Sequence, residues 1–250
     1  MSHQTIDESG FVAGTLVHTD KGLVPIEQIK VGDWVLSKHD NGQGEQAYKR
    51  VVNTFKSDMK LSIFRIGFWL KDDPSFPSLF CTDNHQFWLD GLGWTKLHDF
   101  PKYEEVSGNV LRGFLGDRII VNSNPWPPLR KTEVEDIAIC SHDFQWDECA
   151  GYSLMVDFRQ GRPILVGGTD GSWSELSKVK NVSHSEEIKY LPSLDSDDPE
   201  AHFYLNAMGD DWTRAEEELG NVYKTHVCNL EVEDYHTYYV GKAGIWVRSC

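Results

Sequence analysis

Within Cys81-Thr82-Asp83-Asn84-His85-Gln86-Phe87-Trp88, a hydroxyl and an imidazole stand three residues apart between apolar side chains. A threonine hydroxyl can hydrogen-bond a peptide group or orient a neighbour. A histidine, with an ordinary pKa near ~6.5, can give a proton to a leaving amide nitrogen at neutral pH. The pair therefore has the parts for proton handling on a peptide bond. The same spacing also serves a turn leading into a strand, so the motif gains weight only from its surroundings.

The elements that must hold this pair read as short strands. Thr15-Leu16-Val17 and Leu23-Val24-Pro25 flank the turn-type cluster Asp20-Lys21-Gly22, which predicts a hairpin. A helical turn over Ile26 to Ile29 follows, then a strand from Trp34 to Ser37 and the loop Asp40-Asn41-Gly42-Gln43-Gly44. Strands are expected at Lys49 to Phe55, Leu61 to Leu70, Leu79 to Thr82 and Gln86 to Leu89, with Asp90-Gly91-Leu92-Gly93 as a tight turn to Trp94. Near the other end, Val227 to Val232, Thr237 to Val240 and Gly244 to Val247 have the same character. Such dense short strands predict an all-β domain.

Three stretches taken together carry a resemblance. Gly10-Phe11-Val12-Ala13-Gly14-Thr15-Leu16-Val17 precedes Gly22-Leu23-Val24-Pro25-Ile26-Glu27-Gln28-Ile29-Lys30-Val31-Gly32-Asp33-Trp34-Val35-Leu36-Ser37. The Thr82-to-His85 motif comes next. Last stand Asn229-Leu230-Glu231-Val232-Glu233-Asp234-Tyr235-His236-Thr237-Tyr238-Tyr239-Val240-Gly241 and Ile245-Trp246-Val247-Arg248-Ser249-Cys250. In this order they resemble the Hint (Hedgehog/intein) family, in particular the intein-like domains of bacterial secreted and polymorphic-toxin proteins.

The resemblance covers residues 10 to about 100 and 226 to 250. It implies a horseshoe-like all-β fold with pseudo-two-fold halves, in which both chain ends meet at one site. The expected organisation is a flexible segment 1–9, a Hint β-domain of 10–100 and 223–250, and an inserted α+β subdomain of 101–222. Strand-like segments in the insert are Ile119 to Val121, Ser153 to Phe158 and Pro163 to Val166, and Pro199 to Leu219 has helical spacing. The insert lacks the paired acidic helices of the homing endonuclease that inteins often carry there. Because a surface insertion costs loop entropy that grows slowly with length, joining Pro101 to Asn221 is expected to leave a folded domain.

By resemblance, Thr82 and His85 serve the Ser9–Gly10 bond and His236 serves the far end. Gly10 occupies the nucleophile position, Arg248 and Ser249 the penultimate histidine and terminal asparagine positions, and Cys250 the downstream nucleophile position. Glycine has no nucleophile, and Ser249 has no amide with which to form a succinimide. Both self-cleavage routes, the N-to-S/O acyl shift and the terminal cyclisation, are thus expected to be impaired. Alternation along an extended segment predicts that the Ser9 hydroxyl points away from the pocket. Arg248 stays protonated near neutrality and is expected to pair with Asp234 or another carboxylate.

The chain as a whole is acidic, with 39 Asp and Glu against 24 Lys and Arg and a formal net charge of −15. Such a surface repels phosphate backbones and disfavours nucleic-acid binding. The expected partners are flanking polypeptide segments in cis. A second reading is a non-catalytic acidic binding or immunity-type protein that holds a basic partner such as a toxin effector. Five cysteines do not read as a disulfide framework. Cys140 and Cys149 bracket His142, Asp143, Asp147 and Glu148, but without paired CxxC clusters no metal is expected, and the family chemistry needs no cofactor. No apolar run is long enough to span a bilayer. The expected location is cytoplasmic as written, or within a secreted bacterial protein in a longer context.

Overall fold

A computed structural model describes residues 8–69, 77–101, 110–112, 118–121, 128–132, 134–140, 153–169, 172–175, 203, 206–207 and 222–249. The first half of the chain supplies β1 (Phe11–Val12), β2 (Leu16–Thr19), β3 (Gly22–Pro25), β4 (Trp34–Ser37), β5 (Ala47–Lys56), β6 (Leu61–Ser62), β7 (Phe64–Trp69), β8 (Ser78–Cys81), β9 (Gln86–Leu89) and β10 (Gly93–Lys96). These match the alternation read from the sequence to within a few residues. Then come β11 (Val110–Arg112), β12 (Arg118–Val121), β13 (Arg130–Lys131), β14 (Ile137–Cys140), β15 (Ser153–Asp157), β16 (Ile164–Thr169) and β17 (Ser172–Glu175). The last stretch holds β18 (Lys224–Thr225), β19 (Val227–Val232), β20 (Thr237–Val240) and β21 (Ile245–Arg248).

Among the described residues, fourteen strands form one sheet in the order β10-β9-β11-β12-β7-β8-β1-β19-β5-β4-β2-β20-β21, with β3 on β2. A β9–β21 pairing closes the path on itself. The short β1 lies between β8 and β19, so the segment near residue 10 is a central strand. Phe11 pairs with Cys81 on one side and Cys228 on the other.

The backbone repeats itself in two halves. In the first, Val12 O accepts from Thr15 N at 3.3 Å, Thr15 O from Ile26 N at 2.8 Å, and Ile26 O from Ile29 N at 3.3 Å. In the second, Thr82 O accepts from His85 N at 3.4 Å, His85 O from Leu97 N at 3.1 Å, and Leu97 O from Phe100 N at 3.2 Å. Each half is a turn, a hairpin and a single 3-10 turn, Ile26–Gln28 or Leu97–Asp99. The apolar side chains that end each half, Ile26, Ile29, Leu97 and Phe100, meet in one core with Phe11, Phe87, Tyr238 and Val247. Thr82 and His85 therefore occupy the places that Val12 and Thr15 fill in the other half.

The expected boundary at residue 101 does not coincide with the end of the main sheet. β11 pairs with β9, and β12 pairs with β7, so the sheet continues to Val121. A separate five-stranded sheet, β13-β14-β15-β16-β17, follows. Its entry and exit are knotted to the main body by the backbone. Leu129 N donates to Ile63 O at 2.7 Å, Ile63 N to Tyr223 O at 3.3 Å, and Tyr223 N to Leu129 O at 2.7 Å.

One face of the second sheet shares a core with the main sheet. Leu129, Ala138, Cys140 and Val156 pack among Val12, Ile63, Phe80, Tyr223 and Val227. Gly14, with φ of 82°, admits the close approach of the β15–β16 turn, because a Cβ there would lie 2.5 Å from Arg162 Cα. This shared core argues against the expectation that joining Pro101 to Asn221 leaves a folded domain. The described part of the insert is mostly strand, with β11 and β12 in the main sheet and β13 to β17 in the second. Most of the expected helix Pro199 to Leu219 lies outside the described residues, although Phe203, Asn206 and Ala207 are helical.

No helix among the described residues is long and apolar enough to cross a membrane. No cluster among them could hold a metal ion. His142, Asp143, Asp147, Glu148 and Cys149 lie outside the described residues, whereas Cys81, Cys140 and Cys228 are buried free thiols.

Candidate functional site

The Ser9–Gly10 peptide is gripped from both sides. Gly10 N–H donates to Thr82 Oγ1 at 3.1 Å, and Gly10 O accepts from Thr82 N at 3.0 Å. The Ser9 carbonyl accepts from Asn229 Nδ2 at 3.1 Å. The donor on the Ser9 carbonyl oxygen is of the kind that steadies a developing oxyanion, while Thr82 fixes the following N–H in place.

Asn229 was not singled out by sequence reasoning. Its orientation is set by its own acceptor oxygen, which receives Leu230 N and the Tyr238 hydroxyl, each at 2.8 Å. The available signal was a lone amide within the apolar strand run Val227 to Val232, since a polar group buried there needs partners.

The His85 ring packs among aromatic side chains, with its centroid 4.3 Å from that of Phe11 and 5.4 Å from that of Phe87. It is buried, and neither ring nitrogen has a hydrogen-bond partner among the described residues. Burial pushes its pKa down to about 3. A proton given by this ring at neutral pH therefore comes from a neutral imidazole N–H. The ring is neutral and brings one N–H and one lone pair.

This burial makes stability depend on pH. An unfolded histidine takes up a proton near ~6.5, while the folded one stays neutral to about 3. The His85 contribution is complete above pH 6.5 and falls by ~1.4 kcal/mol per pH unit below it. Urea unfolding at pH 7, 6 and 5 should show this slope. His85→Gln should remove about one proton's worth of it, and the remainder will include His18, whose pKa is also lowered by burial. Equal slopes in the two proteins would disprove the buried neutral state.

The far end of the chain arrives on the same segment. Val247 pairs with Phe87, and the Arg248 guanidinium reaches Gln86 Oε1 at 3.4 Å. Alternation along β21 separates the two candidate residues. Ser249 falls on the Val247 side and is buried, whereas Arg248 lies on the Trp246 side. There it pairs with Asp40 at 3.5 Å and approaches Trp94, in a cluster of Trp88, Trp94, Trp246 and Tyr239. Asp40 is thus the partner, and Asp234 instead binds Lys49 at 2.8 Å.

His236 touches the end through its backbone. Its carbonyl accepts from Ser249 N at 2.9 Å, while its side chain is exposed on a residue with φ of 54°. The structure therefore brings Gly10, Thr82 and His85 together and places Ser249 against His236. It sends Arg248 to the opposite face, and Cys250 lies outside the described residues.

Fold and site together define an all-β domain in which both ends of the described chain are received by one strand and the turn before it. No protein-family description and no curated protein sequence matches the chain. Among solved structures, it is similar to a bacterial intein-like domain from Clostridium thermocellum, at 16% identity over 96% of this chain and 98% of that one, with a TM-score of 0.48. It is also similar to a DnaB intein from Synechocystis sp. PCC 6803, at 11% identity over 97% of this chain and 99% of the other, with a TM-score of 0.44. Over 52% of its length it is similar to the gp41-1 intein, at 22% identity over 93% of that chain, with a TM-score of 0.36.

Proposed function

We propose that this chain is a Hint-type domain of the self-processing kind, built to act on peptide bonds at its own flanks and impaired at both. The observation that supports this reading most strongly is that Thr82 to Phe87 receives Gly10 on one side and Val247 to Arg248 on the other. Asn229 supplies a donor to the Ser9 carbonyl, and Thr82 fixes the Gly10 peptide from its other side. Gly10 supplies no nucleophile, and at the far end Arg248 and Ser249 replace the groups that would cyclise. The partners are then the flanking segments in cis.

The far end gives the direct test, because residue 249 already sits buried against the His236 carbonyl. In a chain extended past Cys250, Arg248→His with Ser249→Asn should release the downstream segment. The asparagine side-chain nitrogen attacks its own carbonyl carbon, the bond to Cys250 breaks, and the product chain ends in a succinimide detectable by mass. The unaltered chain and Arg248→His alone should stay whole. A folded double variant that releases nothing, or no more than the single variant, would defeat the proposal.

A further inference from the structure

Position 10 has no room for a side chain. A Cβ on Gly10 would lie 2.5 Å from Cys228 O, 3.0 Å from Cys228 C and 3.1 Å from Val227 Cγ2. Backbone cannot yield as a flexible side chain does, and Cys228 and Val227 are held in place by their pairing with Phe11 and Val12. The side chain of residue 9, in contrast, lies within the site. Ser9 is buried, and its Oγ stands 3.3 Å from Asn229 Nδ2, the same amide nitrogen that binds the Ser9 carbonyl. The expectation that this hydroxyl points away from the pocket is overturned, because alternation applies to a regular strand and β1 begins only at Phe11.

We infer that the reacting hydroxyl of this site is that of Ser9, directed at the Glu8–Ser9 bond. The inference rests on the self-processing reading but moves the upstream chemistry by one residue. Asn229 Nδ2 is a donor, since its partner oxygen is committed to Leu230 N and the Tyr238 hydroxyl. Ser9 Oγ therefore accepts from it and keeps its own proton to give away.

In the step, Ser9 Oγ adds to the Glu8 carbonyl carbon through a five-membered ring, and the bond from that carbon to the Ser9 nitrogen breaks. The hydroxyl proton ends on that nitrogen, which becomes a free amine. The product is an ester isomer of the same chain, with no atom or electron gained or lost. An amide is the more stable isomer, so the ester must be trapped to be seen.

Neutral hydroxylamine is a suitable trap for the whole chain. It converts the ester to a hydroxamate on Glu8 and leaves a fragment that starts at Ser9. Intact mass and N-terminal sequencing should find this fragment from the unaltered protein, find none from Ser9→Ala, and find faster release from Ser9→Cys in thiol. Circular dichroism of both variants checks that the fold is kept, and cleavage at other bonds, such as Asn41–Gly42, is told apart by mass. A fragment starting at Gly10, or no release from either the unaltered chain or folded Ser9→Cys, would overturn the inference. The downstream double variant reports on the other end independently, so that result would stand whatever Ser9 does.

Discussion

Excising residues 101–221 and joining the cut ends by a short linker will yield a protein that does not unfold cooperatively. The cut removes Leu129, Ala138, Cys140 and Val156, uncovering Val12, Ile63, Phe80 and Val227 of the main sheet. Each such side chain contributes ~1.5–3 kcal/mol when fully buried, so four exposed together amount to ~6–12 kcal/mol. That is comparable with the whole stability of an ordinary domain, ~5–15 kcal/mol. The cut also removes β11 and β12, which stand between β9 and β7, and leaves two unpaired strand edges open to association. Size-exclusion chromatography and urea unfolding should show aggregation or a broad, shallow transition. A monomer with a sharp transition would mean that the main sheet closes without the second.

Asn229→Ala should be the most damaging single truncation near the site. Its amide serves the Ser9 carbonyl, the Leu230 N–H and the Tyr238 hydroxyl, and Asn229 is buried. Losing it strips the buried Ser9 carbonyl of its Asn229 donor and takes one bond from each of the other two groups, and a single buried group left so costs ~1–3 kcal/mol. The Tyr238→Phe change removes one of those groups. The double variant should therefore lose less than the sum of the two singles, since the residues share one network. Chemical denaturation of the four proteins decides the matter, and strict additivity would show that the hydroxyl and the amide do not depend on each other.

Thr82 and His85 were legible because a hydroxyl and an imidazole at fixed spacing stand out in any sequence. The strands around them were legible because apolar residues alternate, as in β9, where Phe87 and Leu89 point inward. What stayed hidden was whatever depended on a distant neighbour. The low pKa of His85 comes from burial among rings such as Phe11, which is remote in sequence. Asn229 looks like one polar residue in a strand until Ser9 and Tyr238 are placed beside it. The strand over Ile137–Cys140 was not among those expected, and nothing in its order of residues says that Ala138 and Cys140 share a core with Phe80. The closed space at Gly10 is likewise a property of Cys228, not of the glycine.

The hydrogen bond between Ser9 and Asn229 spans 220 residues, and β1 lies between β8 and β19. Such a contact is among the slowest a chain can make, because loop closure comes before any gain from pairing. During synthesis, residue 9 is exposed to the cell long before its partner has been translated. The grip of Asn229 on the upstream peptide is therefore a property of finished molecules alone, since it forms only once the last strands have been made and seated.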